Sequence, residues 1–342
     1  MIKFLNKSKE SISAKDLFKY YRNIYLIIRS AEKKKIDCQV LLRAGKSKDI
    51  VYLRLAKKNK VRWFGSDRGF FNSKSSCDLC LYKDLTHSVL KFLNFPVIDL
   101  IRINNIKQLN KLKIKSPWVL KPVTGTQGKD IILKIDNIKI LTEYCKKLLK
   151  KYPDLIIEKF VPGNDFRLIV LKNKFLGALK RNPPFIKGDG QKNIKNLIDI
   201  ENKKRYYIPK DFNSSFLKPL EIDLELINCL KNQNLNLKSI PQKNKLIKLR
   251  ENANFSTGGT VEDVTNKVHP KNKKIALQAV KALGLEIGGV DIITNDISKP
   301  ITKNNAKIIE INSSPGLWIH HYPNKGKSRD IAGKIINYLF GH

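Results

Sequence analysis

The sequence lacks three features that mark common classes of protein. Its five cysteines are an odd number without framework spacing, so reduced thiols are expected rather than a disulfide scaffold. No stretch approaches the roughly 18 unbroken apolar residues of a membrane span. The N-terminal segment MIKFLNKSKE also lacks the apolar centre of a signal peptide. These absences predict a cytoplasmic protein without a membrane span.

Acidic residues are scarce as well. The chain has 30 Asp and Glu against 67 Lys and Arg, which gives a formal net charge of +37. Such a chain attracts polyanions. The lysines nevertheless occur in nearly every segment, and neither a zinc finger nor an RNA-binding aromatic signature accompanies them, so nucleic acid is not the expected main partner. A codon bias towards Lys and Asn, an acidic substrate and an acidic cell surface remain alternative explanations.

The apolar pattern is typical of an α+β protein with antiparallel sheets. Hydrophobic residues make up 42% of the 342 residues, enough for two or three packed units. Strand-like runs at 118–120 and 131–133 flank a glycine-containing turn, and Asp136 or Asn137 can cap the helix that follows. Three further apolar runs, predicted to form an antiparallel meander, span 155–160, 167–171 and 175–179.

The second half of the chain begins with a change in pattern. Residues from about 183 to 249 are polar and irregular, and they are predicted to be an insertion. Helical spacing at 275–283 is then followed by strand-like runs at 285–294 and 307–311. The spacing from 331 to 339 predicts a closing helix.

An acidic cluster is the strongest chemical signal. Period-two alternation in the strand at 307–311 turns Glu310 and Asn312 to the same face. Asp291 lies on the preceding strand, which is expected to pair with it. Oxygen ligands of this kind suit Mg²⁺, with Mn²⁺ as an alternative, better than zinc. The alternative for Glu310 is a solvated carboxylate on a half-exposed strand.

Two further elements point to a nucleotide. Lys121 leads into a loop with glycines at positions 125 and 128, whose backbone N–H groups can approach an anion, although an ordinary hairpin turn explains the same pattern. The loop lacks the Walker glycine spacing and its GK[ST] ending. Residues 158–167 run from a strand into a turn, where backbone groups can meet a purine edge and a carboxylate can hold ribose hydroxyls.

These elements, in this order, resemble the ATP-grasp superfamily of carboxylate–amine ligases. Their sequence motifs are most similar to those of the ATP-grasp part of cyanophycin synthetases. The resemblance runs from about Lys83 to Phe340. The motifs that carry the resemblance are LKP at 120–122 with the loop at 125–128, IEKFVPGNDFR at 157–167, KGDG at 187–190, LRENANFSTGG at 249–259, VHP at 268–270, GVD at 289–291 and EINSSPG at 310–316.

The resemblance implies a role for each matching residue. Phosphate contacts are implied for Lys83 and Lys121 and for the loop residues Gly125, Thr126, Gln127 and Gly128. Adenine contacts are implied for Glu158, Lys159, Phe160 and Val161, and a ribose contact for Asp165. The implied metal ligands are Asp291, Glu310 and Asn312. Arg181 and Arg250 are candidates for stabilising an acyl phosphate, the alternative being surface arginines in a lysine-rich chain.

The resemblance also implies an architecture. An ATP-grasp fold with two α+β subdomains clasping ATP is expected, with boundaries at 1–82 for a short N-terminal domain, 83–157 for the N-terminal subdomain with its phosphate loop, and 158–342 for the C-terminal subdomain. Cyanophycin synthetases continue into a Mur-ligase-like ATPase, whereas this sequence stops at His342. A ligase that performs a single reaction is therefore expected.

The implied activity is formation of an amide between an acid and an amino acid. ATP would activate the acid as an acyl phosphate, and the basic surface favours an acidic amino-acid or peptide substrate. Two alternatives remain open: a glutathione-type or protein C-terminal amino-acid ligase, and a basic nucleic-acid binder on an ATP-grasp scaffold. A homo-oligomer also remains open.

Three smaller motifs are predicted to have structural roles. Cys77 and Cys80 form a lone CxxC, for which ordinary thiols are expected rather than zinc. His320 and His321 are expected to be exposed loop residues. His269, before a proline, is expected to pack or cap locally.

Overall fold

A computed structural model describes residues 3–4, 21–43, 50–65, 70–125, 130–205 and 217–341. Within these ranges the chain forms an α+β fold with three larger sheets and one small one. No helix in the described ranges is long and apolar enough to cross a membrane.

The N-terminal sheet contains four strands in the order β1 to β4. They are β1 (Lys3–Phe4), β2 (Asp37–Arg43), β3 (Ile50–Lys57) and β4 (Lys60–Gly65). Helix α1 (Arg22–Glu32) buries Ile24 and Ile27 in a core that also contains Ile335 and Ile336 of the C-terminal helix. The two ends of the described chain therefore share one hydrophobic core.

A second sheet follows two helices, α2 (Lys74–Leu81) and α3 (Lys83–Phe92). Its strands, in the spatial order β5-β8-β6-β7, are β5 (Leu100–Ile103), β8 (Leu155–Lys159), β6 (Trp118–Pro122) and β7 (Ile132–Ile135). Helix α4 (Ile138–Leu149) packs on this sheet through Leu141, Cys145 and Leu148. The two predicted strands and the helix after them are confirmed, while residues 126–129 of the predicted turn lie outside the described residues.

The central sheet has five antiparallel strands in the order β13-β10-β9-β14-β15. They are β13 (Thr260–Asp263), β10 (Lys174–Asn182), β9 (Asn164–Leu171), β14 (Ile287–Thr294) and β15 (Ala306–Asn312). Helix α7 (Pro270–Ala282) packs against it, and His269 caps that helix by accepting from the Lys271 N–H, as expected. The predicted strands around 285–294 and 307–311 are confirmed.

The predicted three-strand meander is wrong in one part. Only β9 and β10 pair as a hairpin, whereas β8 lies in the second sheet between β5 and β6. The chain changes sheets at Gly163, whose φ of 146° belongs to glycine and where a Cβ would meet the Ile293 side chain at 2.9 Å. An apolar run alone does not reveal which sheet it joins.

The segment at about 183–249, predicted to be an insertion and called the insertion below, is more regular than its composition suggests. Residues 185–187 (β11) and 246–248 (β12) form a small antiparallel pair. Helices α5 (Ile194–Arg205) and α6 (Leu224–Lys231) enclose a small core of their own with Ile186 and Ile247. Few apolar residues suffice here because they recur at helical spacing among lysines and asparagines. Two short C-terminal helices, α8 (Trp318–His321) and α9 (Ile331–Phe340), complete the described chain.

Candidate active site

A cavity of about 410 Å³ lies between the second sheet and the central sheet, with the insertion along one side. Most of the residues with a predicted role line this cavity. Those that line it are Lys83, Lys121, Glu158, Lys159, Phe160, Val161, Asp165, Arg181 and Glu310. The fold therefore brings one continuous set of charged groups from separate sheets to a single cleft.

Two buried lysines occupy one end of the cavity. Lys121 Nζ lies 2.6 Å from Glu158 Oε1, across neighbouring strands β6 and β8. Lys83, at the start of α3, donates from Nζ to the carbonyl oxygen of Gly125 at 2.9 Å. Burial lowers the pKa of Lys83 and outweighs the opposing effect of the nearby Glu310 charge. Lys121 already has Glu158 as its anion, whereas Lys83 contacts only carbonyl oxygens among the described residues, so a bound anion would chiefly complete the environment of Lys83.

Apolar side chains form the walls beside these charges. Ile98, Val119 and Leu133 face the cavity from the second sheet and its flanks, while Ile293 and Ile309 face it from the central sheet. The backbone of 158–161 passes along the edge between them, where Phe160 N–H already donates to the Pro117 carbonyl at 2.8 Å. A slot with two apolar faces and a polar edge fits a flat heterocycle.

Two arginines and two aspartates form a buried network at the other end. Arg167 donates to both carboxylate oxygens of Asp291, each at 2.7 Å. Arg181 donates to Asp291 Oδ2 at 2.9 Å and to Asp165 Oδ1 at 2.7 Å. Burial alone would raise the pKa of Asp291, but the two guanidinium groups outweigh it and lower it. For Asp165 burial wins over Arg181, and its pKa is raised.

The predicted metal ligands lie together on β14 and β15. Asp291 is paired with Glu310 across these strands, and Asn312 Nδ2 lies 3.4 Å from Asp291 Oδ2. In the described part of the chain, no hydrogen bond or ion pair occupies the Glu310 carboxylate, which faces the cavity. Two carboxylates and an amide are oxygen donors of the kind that Mg²⁺ prefers. The donor set therefore fits a hard divalent cation, although in the described ranges no three His, Cys, Asp or Glu side chains form a metal cluster.

Some predicted site residues lie elsewhere. Arg250 is only 1% exposed and does not line the cavity, because its guanidinium binds Glu225 at 2.7 Å and Asp223 at 2.9 Å. The roles implied for Thr126, Gln127 and Gly128 fall outside the described residues.

Three residues near the cavity have no role predicted from the sequence. Arg167 holds Asp291, and its position two residues after Asp165 on β9 was a signal that both share a face. Asn254 accepts from Arg181 Nη1 at 3.0 Å. Glu251, which lines the cavity, lies 3.0 Å from Lys134 of the second sheet and 3.2 Å from Lys248. No local pattern could have found the Asn254–Arg181 and Glu251–Lys134 contacts, because each joins segments far apart in sequence.

The expectation for the paired histidines is wrong. His320 is fully buried in α8, and neither of its ring nitrogens has a hydrogen-bond partner among the described residues. Burial lowers its pKa to about 3. His321 accepts from the Ala332 N–H at 3.0 Å, and burial lowers its pKa to about 4. The cysteines of the CxxC lie on α2, and burial raises the pKa of Cys80 to about 12, which keeps it a thiol.

Known proteins share this fold and parts of this sequence. A RimK-like ATP-grasp domain matches residues 246–339. The cyanophycin synthetase of Crocosphaera subtropica is 34% identical over 228 residues, which are 66% of this chain and 26% of that protein. The glutathione biosynthesis bifunctional protein GshAB of Clostridium perfringens is 38% identical over 189 residues, 54% of this chain and 24% of that protein. The chain thus spans about a quarter of the length of these curated relatives.

A solved structure extends the likeness over nearly the whole chain. The crystal structure of a bifunctional glutathione synthetase from Pasteurella multocida aligns with a TM-score of 0.60 at 24% identity, covering 93% of this chain and 44% of that one. The ATP-grasp fold expected from the sequence motifs is confirmed.

Proposed function

From the premise that this chain has the ATP-grasp fold and carries a RimK-like ATP-grasp domain, we propose that it is an ATP-dependent ligase that joins a carboxylate to an amine. The proposal rests chiefly on one observation: Lys83, Lys121, Arg181 and Glu310 line a single cavity that also has an apolar slot. Such a cavity suits a nucleoside triphosphate with a cation bound to its phosphates. Similarity to cyanophycin synthetase and GshAB supports an amide as the product.

The chemistry needs little from the protein beyond positioning and charge. A carboxylate becomes electrophilic when its oxygen attacks the γ-phosphorus of ATP, which breaks the bond to ADP and gives an acyl phosphate. An amine then attacks the acyl carbon, inorganic phosphate leaves, and the amine loses a proton. Lys83 and Lys121 would hold phosphate oxygens, while Glu158 and the backbone of 159–161 would orient the base.

The acidic residues have a different part. Glu310, Asn312 and Asp291 would hold Mg²⁺, which spreads the negative charge of the phosphoryl group in transfer. Arg181, which lines the cavity, would stabilise the same charge. Asp165 would hold ribose hydroxyls.

The substrate proposal follows from net charge. A chain with a formal charge of +37 favours an acidic amino acid or peptide, and a cytoplasmic location suits a reaction that consumes ATP. Similarity to GshAB keeps a glutathione-type product as the second candidate.

The decisive experiment is a substrate screen. Purified protein is incubated with ATP, Mg²⁺ and pools of amino acids and acidic peptides, while phosphate release and product mass are followed. We expect ADP formation only with a pool that contains both substrates, together with a product whose mass equals their sum less one water. No stimulation by any pool, combined with tight and steeply salt-dependent RNA binding, would replace the ligase by a nucleic-acid binder.

A further inference from the structure

The segment Arg250–Asn254 brings Asn254 to Arg181 although it has neither helix nor strand geometry. Asn252 is only 8% exposed, and it lines the cavity together with Asn254. The Asn254 carbonyl accepts from the Thr257 and Gly259 N–H groups, while the N–H groups of Asn252 and Asn254 donate to side chains. These contacts therefore determine where Asn254 meets the guanidinium.

A buried carboxylate in the insertion anchors this segment. Glu225, near the start of α6, accepts from the Asn252 N–H at 2.9 Å through Oε1. Its Oε2 accepts from Arg250 Nη1 at 2.7 Å. Glu225 is 5% exposed and does not line the cavity. Burial raises the pKa of this carboxyl to about 7 in spite of the Arg250 charge, so the fold bears a desolvation cost to keep an acid at this position.

The contacts continue from the anchor to the catalytic arginine. Asn252 Oδ1 accepts from the Asn254 N–H at 2.8 Å, and Asn254 Oδ1 accepts from Arg181 Nη1 at 3.0 Å. The other Arg181 donors, Nε and Nη2, bind Asp165 and Asp291. Asn254 is therefore the contact that fixes the third guanidinium nitrogen, on the side facing the insertion.

We propose that Glu225 is a positioning residue for the ligase reaction, acting through Asn252 and Asn254 to set the orientation of the Arg181 guanidinium. This inference rests on the proposed function, in which Arg181 stabilises the transferring phosphoryl group. The insertion would then contribute to catalysis, because Glu225, which does not touch substrate, controls the orientation of Arg181, which does. Misplacement of such a group lowers turnover while nucleotide binding, made mostly by other residues, stays intact.

The test compares Glu225→Gln with Glu221→Gln. Glu221 is exposed and reaches Arg250 only through its backbone carbonyl, so its side-chain change is a matched control. With ¹⁵N-arginine labelling, the Arg181 Nε–H resonance, identified by its loss in Arg181→Lys, should move in Glu225→Gln and stay in place in Glu221→Gln. In the ligase assay, kcat should fall roughly 10- to 100-fold in Glu225→Gln with the KM for ATP within about twofold of wild type.

A double variant distinguishes positioning from loss of stability. Because Glu225 and Asn254 belong to one chain of contacts, Glu225→Gln combined with Asn254→Ala should be no slower than Asn254→Ala alone. If Glu225→Gln does not fold, Asn252→Ala replaces it, since this change removes the acceptor for the Asn254 N–H. An unmoved Arg181 resonance, or kcat losses that multiply, would overturn the proposal. A wild-type protein without ligase activity would refute the proposed function, and the resonance test would still decide whether Glu225 orients Arg181.

Discussion

The carboxylates of the predicted metal site differ in what holds them. Both oxygens of Asp291 accept from arginines, and Oδ2 receives bonds from both Arg167 and Arg181. Glu310 lines the cavity, which Asp291 does not, and it has no such bond in the described ranges. A cation entering the cavity can take Glu310 at once, whereas Asp291 must loosen at least one guanidinium contact. Glu310 is therefore the proposed ligand on which cation affinity should depend most directly.

Glu310→Gln removes one negative charge while keeping the shape of the side chain. We expect turnover to fall at least roughly 100-fold, since loss of a single group that stabilises transition-state charge commonly has this effect. The Mg²⁺ dependence of ATP-analogue binding, followed by calorimetry, should weaken in parallel. The melting temperature should stay close to that of the wild type.

Glu262→Gln is the control for that change. Glu262 lies on β13 of the same sheet and is partly buried, but its carboxylate pairs with Lys267 and Lys325 at 3.6 Å and does not line the cavity. Turnover in this variant should remain near the wild-type rate. Equal activity in both variants would remove Glu310 from the metal site.

His320 predicts a pH dependence of stability. Its folded-state pKa of about 3 lies below the ordinary value of 6.5. Between pH 6.5 and 3, His320 is therefore protonated in the unfolded chain but neutral in the folded chain. The free energy of unfolding should therefore fall as the pH drops from 6.5 towards 3, by up to about 1.4 kcal/mol per pH unit from this group. His321 acts in the same direction down to about pH 4.

His320→Leu should reduce this acid sensitivity. Urea unfolding at several pH values between 7 and 4 measures the slope, and wild type at each pH is the reference. The variant should lose the His320 part of the slope and retain that of His321. Identical slopes for the two proteins would show that His320 does not stay neutral in the folded state.

At the level of elements, helix α4 shows how one cap is chosen from two candidates. The Asn137 side chain accepts from the Lys139 N–H at 2.8 Å and from the Ile140 N–H at 3.4 Å. Asn137→Ala should lower the free energy of unfolding by about 1 kcal/mol, as typical for loss of an N-cap. Asp136→Ala, one residue earlier, should change it by less than about 0.5 kcal/mol. Equal losses in chemical denaturation would contradict this assignment.

The same elements show which features a sequence carries locally. The spacing of Leu141, Cys145 and Leu148 predicted α4 because a helix repeats every 3.6 residues, and alternation in β15 placed Glu310 and Asn312 on one face because a strand repeats every two. The sheet that β8 joins could not be predicted, since an almost fully buried strand suits either. The burial of Arg250 depends on Glu225 from a separate helix, which no local pattern contains.

For the whole molecule, the cavity is enclosed by three parts of the fold. Besides the two sheets, the insertion reaches the second sheet, where Asn228 Nδ2 donates to the Leu133 carbonyl at 3.2 Å and Tyr144 Oη lies 3.3 Å from Asn228 Oδ1. The Lys134–Glu251 ion pair adds a contact beside the cavity. Pairs of this partly exposed kind contribute little each, so the enclosure depends on their number.

Net charge gives the last prediction, because it acts on the molecule as a whole. A formal charge of +37 attracts an acidic peptide over a distance set by the Debye length, roughly 10 Å at 0.1 M salt and about 3 Å at 1 M. Affinity for an acidic peptide should therefore fall severalfold as salt rises from about 0.05 to 0.5 M. An uncharged peptide of equal length should lose little, which isothermal titration in the presence of an ATP analogue can measure. The same salt dependence for both peptides would mean that the lysines act on the nucleotide alone, and the preference for an acidic substrate would have to be abandoned.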